Sequence, residues 1–301
     1  MREIRMTNGD AIKVVIGIVT CNHHRFIAQC LNSVRASCEL NSLKVIVVDN
    51  CSSDRSAELI RDQYPWVELI ERDRSHSFSN NNNVAFATAP SEYFLMLNPD
   101  TVLDVGAVDT LVGFMNSHSR CGICGPKLVF PDGSLQYSCR RFPTMWSTIL
   151  RRTPFRALLP KGLRGAKHLM ASVSHDNAMS VDWMLGACLL VRRRAIMGTR
   201  LLDEGFPLYC EEIDLCLRLK HAGWTAHYIP NAKVVHHHLA KSDSSLFCRA
   251  SMLHALSMAH FIRKHYLSLN PSAAKLSGVN RCEAGMSVSQ RLDRPATVGR
   301  E

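Results

Sequence analysis

The chain has 301 residues, 46% of them apolar, enough to bury the core of one large α/β domain. Its 36 Lys and Arg against 26 Asp and Glu leave a formal charge of +10, which suits nucleic acid, anionic lipid or an acidic substrate. No apolar run approaches the ~18 residues of a spanning helix, the start MREIRMTNGD lacks a secretory segment, and twelve scattered cysteines read as reduced and mostly buried, so the expected compartment is the cytoplasm.

Strand-like runs at Val14 to Val19, Val45 to Val48, Val67 to Ile70 and Phe94 to Leu97 alternate with helix-like segments at Arg25 to Ala36, Ser56 to Asp62 and Asn82 to Ala87. Such alternation predicts a parallel sheet with right-handed crossovers. Two of the runs stop abruptly at acids, in VIVVDN at 45–50 and FLMLNPD at 94–100. Ligands of open α/β sheets bind beyond the carboxyl ends of the strands, so Asp49 and Asp100 are expected on one ligand-binding rim. There Asp49 can accept hydrogen bonds from a base or ribose, and Asp100 can hold a hard cation against a diphosphate. Asp100 capping a following helix is the competing role.

Past Val102 the pattern predicts a helix at Asp104 to Asn116 and a hairpin around Asp132-Gly133 in GPKLVFPDGSLQ. The lone pair Cys121-Gly-Ile-Cys124 sits in an apolar run and is not read as a zinc site. From Gly133 to His175 there is no acidic residue, while eight cations from Arg140 to Lys167 are interleaved with apolar anchors such as Trp146 and Phe155. This fits a surface lying on anionic headgroups or a loop closing over a diphosphate. No nucleic-acid-binding motif accompanies the charge, so nucleic acid is not expected as a partner. A strand in MLGACLLV ends at Arg192, Arg193 and Arg194, EEIDLCLRLKHAG predicts a helix ended by Gly223, and the last strands fall at Tyr228 to Pro230 and Ala232 to Val235. A further helix is expected at 246–266, then a polar stretch at 268–301.

Taken together, VVIGIVTCNHHRFIAQCLNSV, VIVVDNCSSDRSAELI, FLMLNPDTVL, GPKLVFPDGSLQ, VDWMLGACLLVRRRA and FPLYCEEIDLCLRLKHAGW resemble, in order from Val14 to Tyr266, the family 2 inverting glycosyltransferases. The likeness is to the rhamnosyltransferase branch of bacterial surface polysaccharide synthesis. It implies a GT-A-type, Rossmann-like, mostly parallel sheet flanked by helices: a glycosyltransferase domain at 12–240, a helical extension at 241–267 and a disordered tail at 268–301. It also implies a donor such as deoxythymidine-diphosphate rhamnose, a divalent Mg or Mn ion, and a lipid-linked saccharide acceptor at an anionic membrane surface, with the enzyme cytoplasmic or peripheral at the inner face of the plasma membrane.

Residue by residue, the resemblance assigns Thr20, Asn22, Asp49, Asn50 and Asp54 to the nucleotide pocket, with Asn82 or Asn83 pointing at the nucleotide. It assigns Asn98 and Asp100 to the metal motif, His236 of the run His236-His237-His238 to the metal, and Asp182 to the donor sugar. The catalytic base falls in Glu211-Glu212, with Glu212 where the family has Asp. Helix N-termini attract acids for dipole reasons alone, so the pair can also be read as a helix start. Asn98, Glu212, and Ser77 in place of the family's glycine depart from the pattern, and they keep open a non-catalytic nucleotide-binding or membrane-scaffold relative.

Overall fold

The computed structural model describes residues 12–38, 43–142, 170–237 and 249–267. The basic stretch beyond Phe142, His238 and the tail from 268 lie outside the described residues.

Strands β1 (Val14–Thr20), β2 (Leu43–Asp49), β3 (Glu68–Glu71) and β4 (Tyr93–Leu97) form the parallel half of the sheet, in order β3-β2-β1-β4. Helices α1 (His24–Ala36), α2 (Ser56–Gln63) and α3 (Phe78–Thr88) make the crossovers. In β1, Val14, Ile16 and Ile18 face one core layer with α1, and Val15 faces the other with Ala85 of α3; both layers are dry, which is why these strands read as continuous apolar runs. Gly17 has no room for a side chain, because a Cβ there would lie 2.4 Å from the Phe94 ring. Helix α3 begins four residues earlier than its sequence predicts. Ser77 adopts an extended φ of −66° and accepts from Asn80 N–H at 3.2 Å, so the family's glycine is not needed for the backbone and its replacement is a helix cap.

The other half of the sheet is mixed. After β5 (Thr101–Leu103), α4 (Ala107–Ser117) and β6 (Cys121–Val129), a two-stranded ribbon pairs β7 (Cys139–Arg140) with β9 (Trp183–Met184), and β8 (Met179–Val181) pairs with the last strand. Strand β10 (Cys188–Arg192) lies antiparallel between β4 and β6. Helix α5 (Glu211–His221) precedes β11 (Thr225–His236), one strand with a register shift between Ile229 and Lys233 where two short strands were expected. Helix α6 (Arg249–Ile262) continues as a π-helical turn to Leu267. Seven of the ten described cysteines are buried and none is in a disulfide.

Arg192 is 4% exposed and donates to the carbonyls of Cys121, Met115 and His118 and to the Tyr93 hydroxyl, stitching β10 to α4 and β6. Arg193 donates to the carbonyls of Phe86 and Ala89, and Arg194 to that of Ser119. Arg192→Leu strands several buried carbonyls, and charged hydrogen bonds of this kind are worth about 1.5–3 kcal/mol each. The variant is expected to melt roughly 6–12 °C lower by calorimetry; an unchanged melting temperature contradicts the stitching role.

Candidate active site

Asp49 is the last residue of parallel strand β2 and Asp100 follows the end of parallel strand β4, both on one rim of the sheet. Residues 101–103 are strand, so Asp100 caps no helix. Instead β5 pairs antiparallel with β11, matching Thr101 to His236, and His237 N–H donates to the Asp100 carbonyl at 3.0 Å. This brings Asp100 Oδ1 within 3.5 Å of His236 Nε2, with both residues 6% exposed. Gln136 Oε1 lies 2.9 Å from His236 Nδ1. With Gln136 accepting the Nδ1 proton, the Nε2 lone pair is turned toward the carboxylate, and a nitrogen and an oxygen ligand oriented by an outer partner fit a divalent cation. Gln136 was not singled out from the sequence, and only the hairpin, which buries it against His236, reveals it. His237 instead packs its ring on Phe26 at 5.0 Å between centroids.

The expected nucleotide residues divide into two groups. Asn22, at φ 59°, accepts from Ser53 N–H at 2.7 Å, and its own N–H donates to Ser52 Oγ at 3.0 Å. Asn50 exchanges hydrogen bonds with the His76 backbone, and Asp54 accepts from His24 N–H and Ser56 N–H. Thr20 is fully buried beside His23. These side chains knit the loop together. Asp49 differs: Oδ2 accepts from Ser52 N–H at 2.9 Å, while Oδ1 is buried with no protein partner. Nearby, Arg72, whose N–H donates to the Asp49 carbonyl at 2.9 Å, has a buried Nε that is also unpartnered. On α3, Asn82 donates to the Phe78 carbonyl, and Asn83 clamps both backbone groups of Leu202 and reaches Glu204. The fully buried amide with neither atom partnered belongs to Asn81. An identical run of four asparagines gives no sign of which one is spent internally.

Helix α5 starts under strain. Tyr209 and Cys210 take φ of 62° and 72°, left-handed values that non-glycine residues adopt at a cost of about 1–3 kcal/mol each. They turn Glu211 inward to 3% exposure and leave Glu212 half-buried. The Gly186 N–H bonds the Glu212 carboxylate, and a Cβ on Gly186 would lie 2.2 Å from Glu212 Oε1, so only glycine admits the longer acid that stands in the family's Asp position. Burial pushes both carboxyls above the ordinary range, and for Glu211 the neighbouring Glu212 charge adds to the rise. A dipole ornament on a solvated helix start would not be held this way.

Next to Gly186, the Ala187 carbonyl accepts from Asn98 N–H at 2.8 Å, which joins the seat of Glu212 to the loop that carries Asp100.

The third acid, Asp214, is fully buried and anchors the helix. Burial alone would raise its pKa, but His265 at 2.7 Å, Arg218 at 2.7 Å and Lys264 at 2.7 Å hold it well below the carboxylate range. Two of these partners, Lys264 and His265, come from the end of α6, and Lys264 also reaches Asp203 at 2.5 Å. Asp182 was expected near the donor sugar. Its oxygens accept from Phe142 N–H and Lys220 Nζ, so it ties the ribbon to α5. Trp183 donates its indole N–H to the Arg141 carbonyl and packs in the core beside it.

Residues 15–174, just over half of the chain, match Glycosyl transferase family 2. The chain belongs to that family and is a glycosyltransferase. It is similar to rhamnosyltransferase WbbL of Escherichia coli K12, at 29% identity over 280 residues covering 88% of this chain and 98% of that protein. It is also similar to N-acetylglucosaminyl-diphospho-decaprenol L-rhamnosyltransferase of Mycobacterium tuberculosis, at 29% identity over 65% of this chain and 66% of that protein. Among solved structures, GalNAc-T7 with UDP, GalNAc and Mn2+ superposes with a TM-score of 0.54 at 15% identity, over 76% of this chain and 44% of that one. Mannosyltransferase PcManGT from Pyrobaculum calidifontis, in complex with GDP-Man and Mn2+, gives 0.52 at 16%, over 89% and 74%. The fold is of the GT-A type. No helix among the described residues is long and apolar enough to cross a membrane.

Gly186→Ala leaves the core untouched, since the obstructing atoms belong to the end of a flexible side chain. If Glu212 serves as the base, the variant is expected to fold and bind donor normally but to lose ~100-fold or more in turnover, because a base displaced by ~1 Å works poorly. Wild-type turnover in Gly186→Ala contradicts the placement of Glu212.

Proposed function

We propose that this glycosyltransferase moves rhamnose, with inversion, from a deoxythymidine-diphosphate sugar or close analogue to a hydroxyl of a lipid-linked saccharide. The names of the two rhamnosyltransferase relatives support the sugar, and the decaprenol-diphosphate acceptor in the mycobacterial name supports the lipid. The reaction would then run at the inner face of the plasma membrane, with the enzyme held there peripherally.

Inversion needs one in-line displacement: the acceptor oxygen bonds the anomeric carbon as the bond to the diphosphate breaks, and a base takes the hydroxyl proton. Asp49, with its buried open oxygen, receives a donor N–H from the nucleotide. Asp100 and His236 would hold a divalent cation, which would supply positive charge to the departing diphosphate. Glu212 is the base. The observation that carries this assignment is its carboxylate lying on Gly186, one residue from the Ala187 carbonyl that receives the metal loop. Burial keeps the proton affinity of both acids high, and the Glu212 charge adds to it at Glu211.

The test is turnover in single variants with donor affinity measured alongside. Glu212→Gln should keep donor binding and lose ~100-fold or more in turnover, with Glu211→Gln losing much less. The opposite order moves the base by one residue, and two unaffected variants refute catalysis by the pair. The base works only deprotonated and its pKa is raised, so wild-type turnover should climb with pH through a midpoint above the ordinary Glu value of about 4.3. A flat profile across that region contradicts the assignment.

A further inference from the structure

Helix α6 has two unlike faces. Inward, Ser257 and Phe261 are buried, Ser257 Oγ accepts from Leu208 N–H at 3.1 Å, and Lys264 and His265 close on Asp214. Outward, Met252 is 63% exposed, Leu256 55%, Tyr266 46% and Leu267 62%, and Ala255 and Ala259 complete a stripe at helical spacing. Four large apolar side chains this exposed on one helix form a patch, not the scattered singles of an ordinary surface.

Charge and size decide between candidate occupants. From residue 249 to 267 the helix holds Arg249, Arg263 and Lys264 and no acid, with Lys264 turned inward onto Asp214. Arg263 is exposed beside the stripe, in a chain of net charge +10. A second copy would set like charges against each other. It would also bury little: the 19 residues from 249 to 267 run roughly 28 Å, one helix wide, against the ~800 Å² per partner of a stable interface. An apolar stripe that carries an exposed arginine, on a chain of net charge +10, fits anionic headgroups, with the apolar side chains entering the acyl boundary.

We propose that the outward face of α6, centred on Met252 and Leu256, is the surface by which the enzyme docks on an anionic lipid bilayer. The proposal deepens the lipid-linked acceptor reading and rests on it for the purpose of the contact. Tyr209, 39% exposed and two residues before Glu211, packs edge-on against His254 at 5.2 Å on the inward face of α6, so the loop carrying the acid pair lies under the helix whose other face is exposed. Because the inner face of the same helix grips Asp214, one element would hold the bilayer on one side and the catalytic helix on the other.

The experiment is co-sedimentation of the full chain, without donor, with vesicles of phosphatidylcholine alone or mixed equally with phosphatidylglycerol. Wild type should bind the mixed vesicles and not the neutral ones. The double change Met252→Glu with Leu256→Glu should weaken binding at least ten-fold, and Met252→Gln with Leu256→Gln several-fold, both with unchanged melting. A charge-matched control, Val105→Glu with Met197→Glu, alters two exposed apolar residues elsewhere and should bind like wild type. Absence of wild-type binding, or equal losses in control and α6 variants, overturns the proposal. So does a wild-type dimer by sedimentation velocity that the α6 variant dissolves while vesicle binding persists. Metal-dependent hydrolysis of the nucleotide-sugar in solution, read separately, should be the same in all variants. If it is missing from wild type while the vesicle results hold, the transferase reading fails and the docking surface stands.

Discussion

The antiparallel placement of β10 on β4 is the constraint on which the site depends. Pairing Cys188 with Leu97 and closing the corner with Asn98 N–H on the Ala187 carbonyl fixes Gly186-Ala187 beside Asn98-Pro99-Asp100. Residues far apart in sequence thereby share one edge of the sheet: the carboxylate and imidazole suited to a cation, and the glycine on which Glu212 rests. The parallel half of the sheet alone would present Asp49 and Asp100 but no base. Arg192, at the end of β10, locks that strand from the opposite side with a fan of hydrogen bonds to carbonyls and a hydroxyl.

Holding two acids side by side in a poorly solvated place is costly, and the surroundings show how the cost is met. The left-handed turn at Tyr209 and Cys210 is strained, and burial raises the proton affinity of Glu211 and Glu212. Against this, Asp214 on the same helix is compensated by the cations Arg218 and Lys264 and by the His265 ring, the last two from the C-terminal helix. Breaking a buried ion pair by removing one partner is strongly destabilising, so the helix that carries the acid pair is fastened most firmly one turn from where it is strained. The C-terminal helix is therefore structural support for the acid pair as well as a surface in its own right.

The strand ends were legible because buried parallel strands stop sharply where polarity begins, and Asp49, Asp100 and the acids at 211–214 stand out for that reason. The partners of polar side chains were not legible. Asn22, Asn50, Asp54, Asn83 and Asp182 look like ligand residues in sequence, and in the structure each also makes hydrogen bonds to backbone or side-chain groups of the protein. Asn81, Arg72 and Gln136 carried no motif, and what marks them is burial together with an open or oriented polar atom. The mixed half of the sheet was hidden as well, because β10 pairs with strands distant in sequence and only a tertiary contact determines its direction. Ser77 shows the reverse case: a departure from the family pattern that looked harmful is accommodated by an ordinary extended φ and a cap.

The central claim is that cation and base meet across the corner formed by β4 and β10. Anomalous diffraction at the manganese edge, from crystals grown with Mn2+ and a nucleoside diphosphate, tests it most directly. The account predicts one strong peak between the Asp100 carboxylate and His236 Nε2, on the side of the rim that faces Gly186 and Glu212. A peak elsewhere, or none at Asp100 while the nucleotide is bound at Asp49, would contradict it.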